Sequence, residues 1–504
     1  MENTDQLAQK PKRPRISTQH TVVSTTSVLN KDFVIKEDIL KEIGQIADNS
    51  NTEVYVVGGY VRDYFLGREQ TDLDFTVVGD SINFAKEVAR HYKTKPIIYE
   101  KFRTALVQTG QYKCEFVGTR KEKYYHDSRN PVVTEGSLDD DIRRRDFTIN
   151  TIAVSLNQDK FGTIVDIFSG KKDIDRRIIR TPLEPTITYN DDPLRMVRAA
   201  RFAAQLGFEV EEGSFRAIKK IADRINIVAQ ERITEEFLKI LAAKKPSKGL
   251  RLLYESDLFL HIFPELHKLA GVESKFDGKQ SFAHKDILRH TFKVLDNVAE
   301  RSTNLWLRFA ALVHDIAKPA VKRFTPGMGW SFHGHEDVGA RWIEDIFRRL
   351  RLPLDKVDYV ERLVRLHQRP MQLVDEGVTD SAVRRLAFHA GDALEDLFLL
   401  CRADITTNNP HLSEQYLNNY EIVFQKVVEV QEKDKLREFQ SPVRGEEIME
   451  LCDLQPSKPV GMVKSRIEEA ILDGIIPNEH DAARSYLLEN KDAWLEEINN
   501  VLNG

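Results

Sequence analysis

The stretch VYVVGGYVRDYFLGREQTDLDFTVVG, residues 54–79, constrains the fold more than any other part of the chain. Residues 54–57 form an apolar, β-branched run that reads as a buried strand, and residues 60–66 read as a short helix carrying Arg62. Gly58 and Gly59 make the turn between them, where bare backbone lets N–H groups approach an anion, the physics of a phosphate cradle. Residues 73–78 read as the next strand, and strand side chains alternate, so Asp72 and Asp74 project to the same side. Two carboxylates held together at a strand edge repel each other unless a cation sits between them. Mg²⁺ fits, because it takes one or two carboxylates together with substrate phosphate oxygens. Taken singly, a Gly-Gly pair is a plain turn and an Asp-x-Asp a solvated strand end or helix cap. Their order on a strand, turn, helix, strand unit points to a nucleotide-handling site.

A chain of 504 residues holds about three or four domains with sizeable cores. Its net charge of −5 argues against coating nucleic acid by bulk electrostatics, so any RNA contact uses local basic patches. The cysteines, Cys114, Cys401 and Cys452, are far apart, which indicates neither a disulfide framework nor a cysteine zinc site and fits a reducing cytoplasm. No apolar stretch approaches the roughly 20 residues that span a bilayer, and no signal-peptide core is visible, so a cytoplasmic protein without membrane partners is expected. Residues 1–31, with the basic KPKRPR, read as a disordered arm.

Between residues 32 and 170 short apolar runs alternate with helical patterns, giving a mixed α/β domain; after residue 191 the strand signals fade and the pattern is mostly α. In YKCEFVGTRKEKYY, Glu115 lies in a third strand-like run, either facing the same metals as Asp72 and Asp74 or standing as a surface glutamate. In DDDIRRRDFTIN, arginines at the edge of an apolar segment suit bidentate recognition of phosphate or sugar oxygens. In YNDDPLRMVRAARF, Pro193 suits a first helical turn, and Asp192 is followed by Arg195, Arg198 and Arg201 at i, i+3, i+6, on what reads as one exposed face. An Asp accepting from an exocyclic amine beside an Arg donating to a ring acceptor imitates a Watson–Crick edge and suits cytosine and adenine. The bland alternative is a capped helix with a salt-bridged face.

The ordered motifs GGYVRD, TDLDF, RRRDFTIN, VDIFSGKKDI, DDPLRMVRAARFAAQLGF and ERITEEFLKIL, within residues 54–241, resemble the class II tRNA nucleotidyltransferase and bacterial poly(A) polymerase family. The resemblance implies that Asp72 and Asp74 hold catalytic Mg²⁺; Glu115 joins them only on the strand reading above. It implies that Gly58, Gly59 and Arg62 hold the triphosphate and that Arg144, Arg145 and Asp146 lie near the sugar. Asp192 and Arg195, with Arg198 beyond them, would read the incoming base. The family motif begins Glu-Asp-x-x-Arg, whereas here Asp191 precedes Asp192 and shortens one carboxylate. The implied reaction adds C, C and A to the 3′ end of tRNA from CTP and ATP without a template.

The second half carries His290, His314 with Asp315, His333, His335, His367 and Asp404, an order that resembles an HD domain over residues 282–409. His290, His314, Asp315, His335, His367 and Asp404 would then hold a divalent metal, with His335 preferred to His333, and similar domains look like phosphatases or cyclic phosphodiesterases; a degenerate domain that only supports the fold is the other reading. The implied fold class is α+β: a small mixed head at 32–170, a helical base-reading and RNA-binding region at 171–270, the HD domain at 282–409 and a helical RNA-binding tail at 410–504, on an otherwise all-α body. Poly(A) synthesis or partial CC- or A-addition shares the head motifs. A phosphohydrolase with a non-catalytic head, and an RNA-binding scaffold, are the other readings; intact carboxylates speak against both.

Overall fold

The computed structural model describes residues 33–125, 128–271, 276–277, 280–281, 286–325, 329–375, 377–407, 409–434 and 441–503. The expected N-terminal arm lies outside these described residues. The chain divides into two compact units, one made of residues up to 119 with 135–142 and 149–171, the other of 120–134, 143–148 and 172–504. The expected α+β organisation holds, with a mixed sheet in the first unit and helices dominating the second.

The first unit opens with α1 (Asp38–Asn49), β1 (Glu53–Val57), α2 (Gly59–Phe65), β2 (Asp72–Val78) and α3 (Ser81–His91), followed by β3 (Ile97–Tyr99), β4 (Thr104–Thr109) and β5 (Tyr112–Gly118). The hairpin β6 (Arg120–Tyr125) and β7 (Ser128–Glu135) falls almost wholly in the second unit, and the first resumes with α4 (Leu138–Arg143), β8 (Ala153–Ser155) and β9 (Ile164–Val165). Seven strands form one sheet in the order β3-β4-β5-β2-β1-β8-β9, with β2 and β5 parallel and the other neighbours antiparallel. Alternation sorts β2 onto two faces. Leu73, Phe75 and Val77 are fully buried on the side that α3 covers, where the rings of Phe75 and Phe116 stack at 4.7 Å and Phe84 meets Phe116 edge-on at 5.5 Å. Asp72 and Asp74 take the other face. There Tyr55, Val57, Ile142 and Ala153 build a second, smaller core beneath α4.

The second unit begins in sequence around α5 (Gly170–Arg176), α6 (Pro185–Asp191) and α7 (Leu194–Leu206). Pro193 stands before α7, as its fixed φ favours, and Gly207 ends the helix in the left-handed region at φ 74°. Further on, helices Ile287–Ala299, Leu305–Val313, His335–Arg349, Val357–Leu366 and Leu394–Asp404 form a helical assembly. A short antiparallel pair, Arg323–Thr325 with Gly329–Ser331, interrupts the helical region; the sequence reading had no signal for it. At the C-terminal end, Gly445–Cys452, Lys458–Leu472 and His480–Asn503 close around Val443, Ile448, Val463, Ile467 and Leu487.

Candidate active site and metal centre

In the first unit, strand register assembles the carboxylates. Asp74 is the direct partner of Glu115 across the parallel β2–β5 pair, and residues opposite one another in register share a face, so Glu115 faces the same side as Asp74 and Asp72. Asp72 is exposed while Asp74 and Glu115 are half-buried. On the other side of β2, Val57 pairs with Asp74, which brings the turn after β1 to the carboxylate end of the sheet. Gly58 adopts φ 71° and ψ −128° there, a conformation that glycine alone takes cheaply. Arg62 lies under this turn: a β-carbon at Gly59 would sit 3.7 Å from its Nη2. Its guanidinium is buried, donating two hydrogen bonds to Asp63 at 2.9 and 2.8 Å and one to Asn150 Oδ1 at 2.9 Å. Arg62, paired with Asp63, therefore braces the turn from below.

In the second unit the α7 arginines are placed differently from the sequence expectation of one exposed face. Arg195 is buried and donates to the carbonyl oxygens of Thr188 and Arg144. Arg198 donates to Asp146 Oδ2 through Nε at 2.9 Å and Nη2 at 2.6 Å, and lies 3.7 Å from Glu236. Arg201 pairs with the same buried Glu236 and covers the ring of Phe202 at 3.9 Å. Asp146 and Glu236 come from segments distant in sequence, which is why the helix alone looked solvated. Asp192 Oδ1 accepts from the Leu194 amide at 3.2 Å and its Oδ2 from Arg232 at 3.3 Å. A guanidinium carries five N–H donors, and the two contacts of Arg195 leave others for a ligand. Arg144 and Arg145 are half-buried, just before Asp146.

The second unit also gathers the His/Asp set. His314, Asp315, His335 and His367 are each no more than 2% exposed. All stand at helix ends: His314 follows Leu305–Val313, His335 opens its helix, His367 follows Val357–Leu366, and Asp404 closes Leu394–Asp404. Nδ1 of His314, His335 and His367 lies 2.7–2.8 Å from the carbonyl oxygen three residues back, so each Nδ1 carries the proton and donates it. His290 Nδ1 contacts Thr406 Oγ1 at 2.8 Å. The Nε2 lone pairs then point inward. Around Asp315 Oδ2 stand His314 Nε2 at 3.2 Å and His290 Nε2 at 3.7 Å, and around Oδ1 stand His335 Nε2 at 3.2 Å and His367 Nε2 at 3.8 Å. Asp404 Oδ1 is 2.9 Å from His290 Nε2 and 3.5 Å from His314 Nε2.

Nε2 nitrogens face carboxylate oxygens here, an arrangement favoured by a cation between them or by a second proton on an imidazole such as His314. His314 Nε2 and Asp315 Oδ1 are buried and make no hydrogen bond. Burial opposes charge on His314, yet Asp315 and Asp404 outweigh it and raise its pKa to about 10. Burial lowers His367 to about 3, and the neighbouring His314 pushes the same way. Burial also works against the Asp315 carboxylate, but His314 and Lys318 hold it well below the usual range. The two carboxylates thus favour positive charge on His314, while burial and that same histidine disfavour it on His367. Asp315 belongs to two ligand triads, one with His290 and His314, the other with His335 and His367. Beside them an open cavity of about 620 Å³ is lined by His335, Lys318, Trp330, His333 and Gln368 among others.

Residues 54–180 match the Poly A polymerase head domain, 207–269 the probable RNA and SrmB-binding site of polymerase A, and 287–409 the HD domain. The chain is 31% identical to the A-adding tRNA nucleotidyltransferase of Deinococcus radiodurans over 373 residues, covering 72% of this chain and 80% of the relative. It is 31% identical to the CC-adding tRNA nucleotidyltransferase of Thermus thermophilus over 453 residues, 86% of this chain and 93% of the relative. The chain belongs to the class II tRNA nucleotidyltransferase and poly(A) polymerase family. Its fold agrees with the Thermotoga maritima CCA-adding enzyme complexed with tRNA, at a TM-score of 0.56 and 20% identity, covering 91% and 97% of the two chains. The curated relatives divide among A-adding, CC-adding and multifunctional CCA proteins.

For this nucleotidyltransferase the sequence reading missed the residues that hold the others in place. Asp63 and Asn150 fix Arg62, Glu236 anchors two α7 arginines, Thr406 meets His290, and Lys318 Nζ lies 2.7 Å from Asp315 Oδ2. Lys318 carries a sequence signal, three residues after Asp315 and so on the same side of a helical turn. Asp63 is the immediate neighbour of Arg62, whereas Asn150, Glu236 and Thr406 reach their partners from positions far apart in the chain.

Proposed function

We propose that this chain adds C, C and A to the 3′ end of tRNA from CTP and ATP, without a template. The observation that carries the reading is the row formed by Glu115 and Asp74, with Asp72 beside them, at the sheet end where the Gly58 turn lies. Mg²⁺ bound by Asp72, Asp74 and Glu115 would help generate the attacking 3′-oxyanion and neutralise the triphosphate. The 3′ oxygen attacks the α-phosphorus and pyrophosphate leaves. Backbone N–H groups of Gly58 and Gly59 face the phosphates, and Arg62 supplies positive charge beneath them. Arg144, Arg145 and Asp146 serve the sugar, with Arg198 holding Asp146. Offering wild-type protein tRNA that ends at the discriminator base, after one cytidine and after both, with CTP, ATP or the two together, tests the reading. Completion of all three ends is the expected result, and addition of A alone, or of cytidines alone, would replace it with the partial activity named for the Deinococcus or Thermus relative.

Base choice is assigned to Asp192 and Arg195. Asp192→Ala removes an acceptor for the exocyclic amine and the repulsion of carbonyls, so discrimination against UTP and GTP should fall roughly 10- to 100-fold. A variant that adds only C and A, merely more slowly, would move base reading elsewhere.

The His/Asp cluster supports a second activity, metal-dependent phosphohydrolysis. His290, His314, Asp315, His335, His367 and Asp404 would hold one or two divalent ions, Asp315 bridging two histidine pairs. Bound there, the metal supplies an activated water. The cavity alongside admits a phosphate ester, with Lys318 available to its oxygens.

A further inference from the structure

We infer that the exposed edge of the head sheet is the platform on which the nucleobase of the acceptor's 3′-terminal nucleotide stacks. The inference rests on the nucleotidyl-transfer reading and deepens it. Ile97, Leu106, Glu115, Asp74 and Val57 are register partners on the successive strands β3, β4, β5, β2 and β1, so they form one straight row across a single face. Strands lie about 4.8 Å apart, which puts Leu106 about 5 Å and Ile97 about 10 Å from Glu115 along that row. The Gly58 turn lies at the opposite end, after Val57.

Transfer by in-line displacement needs the attacking and leaving oxygens on opposite sides of the phosphorus. With the leaving pyrophosphate over the glycine turn, the attacking 3′ oxygen arrives on the Glu115 side. The nucleoside that carries it then lies over β4 and β3. That surface is the apolar part of the open face, where Ile97 is 54% and Tyr99 50% exposed; Phe102, 56% exposed, ends the short turn that follows β3. Tyr99 lies on the same face as Ile97, two residues along β3, and pairs with Thr104. Lys95 and Lys113 are exposed on the other side of the Ile97–Glu115 row from Tyr99, Lys113 being the partner of Asp72. An exposed aromatic ring is a stacking surface of the kind single-stranded nucleic acid uses. Stacking on an aromatic face tolerates any base, as an acceptor whose last base changes with each addition requires. Tyr99 is assigned as the principal positioning residue.

The test uses the full chain and tRNA acceptors whose 3′-terminal nucleotide is either intact or abasic. In the wild type, loss of the base should raise KM for tRNA on the order of 10-fold, the scale of base–aromatic stacking, while KM for the nucleotide and kcat on the intact acceptor should each stay within about 2-fold of wild type across the variants. Tyr99→Ala should erase the difference between the two acceptors, and Tyr99→Phe should restore it. An equal abasic penalty in wild type and Tyr99→Ala overturns the platform while leaving transfer standing. Equilibrium binding without nucleotide, read by a 2-aminopurine at the acceptor's end, separates the two claims: quenching by wild type and Tyr99→Phe but not by Tyr99→Ala supports the platform even if no nucleotide is added. If sedimentation instead shows self-association that Tyr99→Ala abolishes, with tRNA binding unchanged, the edge joins copies of the chain and the inference fails.

Discussion

Asp74→Ala should lower nucleotide addition by on the order of 10³-fold while leaving tRNA affinity within about 2-fold, because the lost carboxylate acts on charge that develops only in the transition state. Asp74 lies at the centre of the cross-strand row, between Val57 and Glu115, so no neighbouring carboxylate can reach its position without breaking the strand register. Asp72→Ala should behave similarly. Single-turnover addition measured beside filter binding of tRNA separates chemistry from affinity. Retention of more than a few per cent of wild-type addition by both variants would remove these carboxylates from the reaction.

Replacing Asp315 by Asn should strip the second unit of bound metal and abolish phosphohydrolase activity, by about 10²-fold or more, since without an ion there is no activated water. Both oxygens of this one carboxylate are engaged, each facing a different histidine pair. Asn keeps the shape and removes the charge, so a melting curve run alongside metal analysis reports whether the helices stay packed. Nucleotide addition should persist near the wild-type rate, because the ligands belong to a different compact unit from Asp72 and Asp74. A folded Asp315→Asn protein that no longer adds nucleotides would show that these residues serve the transfer reaction itself.

Much of the head was legible because its signals are local. Residues 54–57, 60–66 and 73–78 read as strand, helix and strand, and the elements run Glu53–Val57, Gly59–Phe65 and Asp72–Val78. The two aspartates could be put on one face because alternation is a property of a single strand. Glu115 could not be decided between metal and surface, since its place beside Asp74 depends on strand order and register that no local pattern encodes. The α7 arginines show the same limit. Their helical spacing was readable, but Asp146 and Glu236, which turn them inward, approach through tertiary packing. In the His/Asp cluster residue types were visible, whereas the i−3 carbonyl bonds that aim each imidazole were not.

The stacked pair of Phe75 and Phe116 sits back to back with Asp74 and Glu115, one residue away on each strand. A single inserted residue in β2 would therefore swap the two sides, sending carboxylates into the aromatic layer and phenylalanines toward substrate. Divergence in this part of the molecule is restricted to exchanges that preserve length, whatever the side chains. The hairpin of β6 and β7, in a sheet of its own, shares no strand register with the row of Asp74 and Glu115 and is under no such rule. Variation among descendants of this architecture should accordingly appear as insertions there and as substitutions alone between Asp72 and Val78.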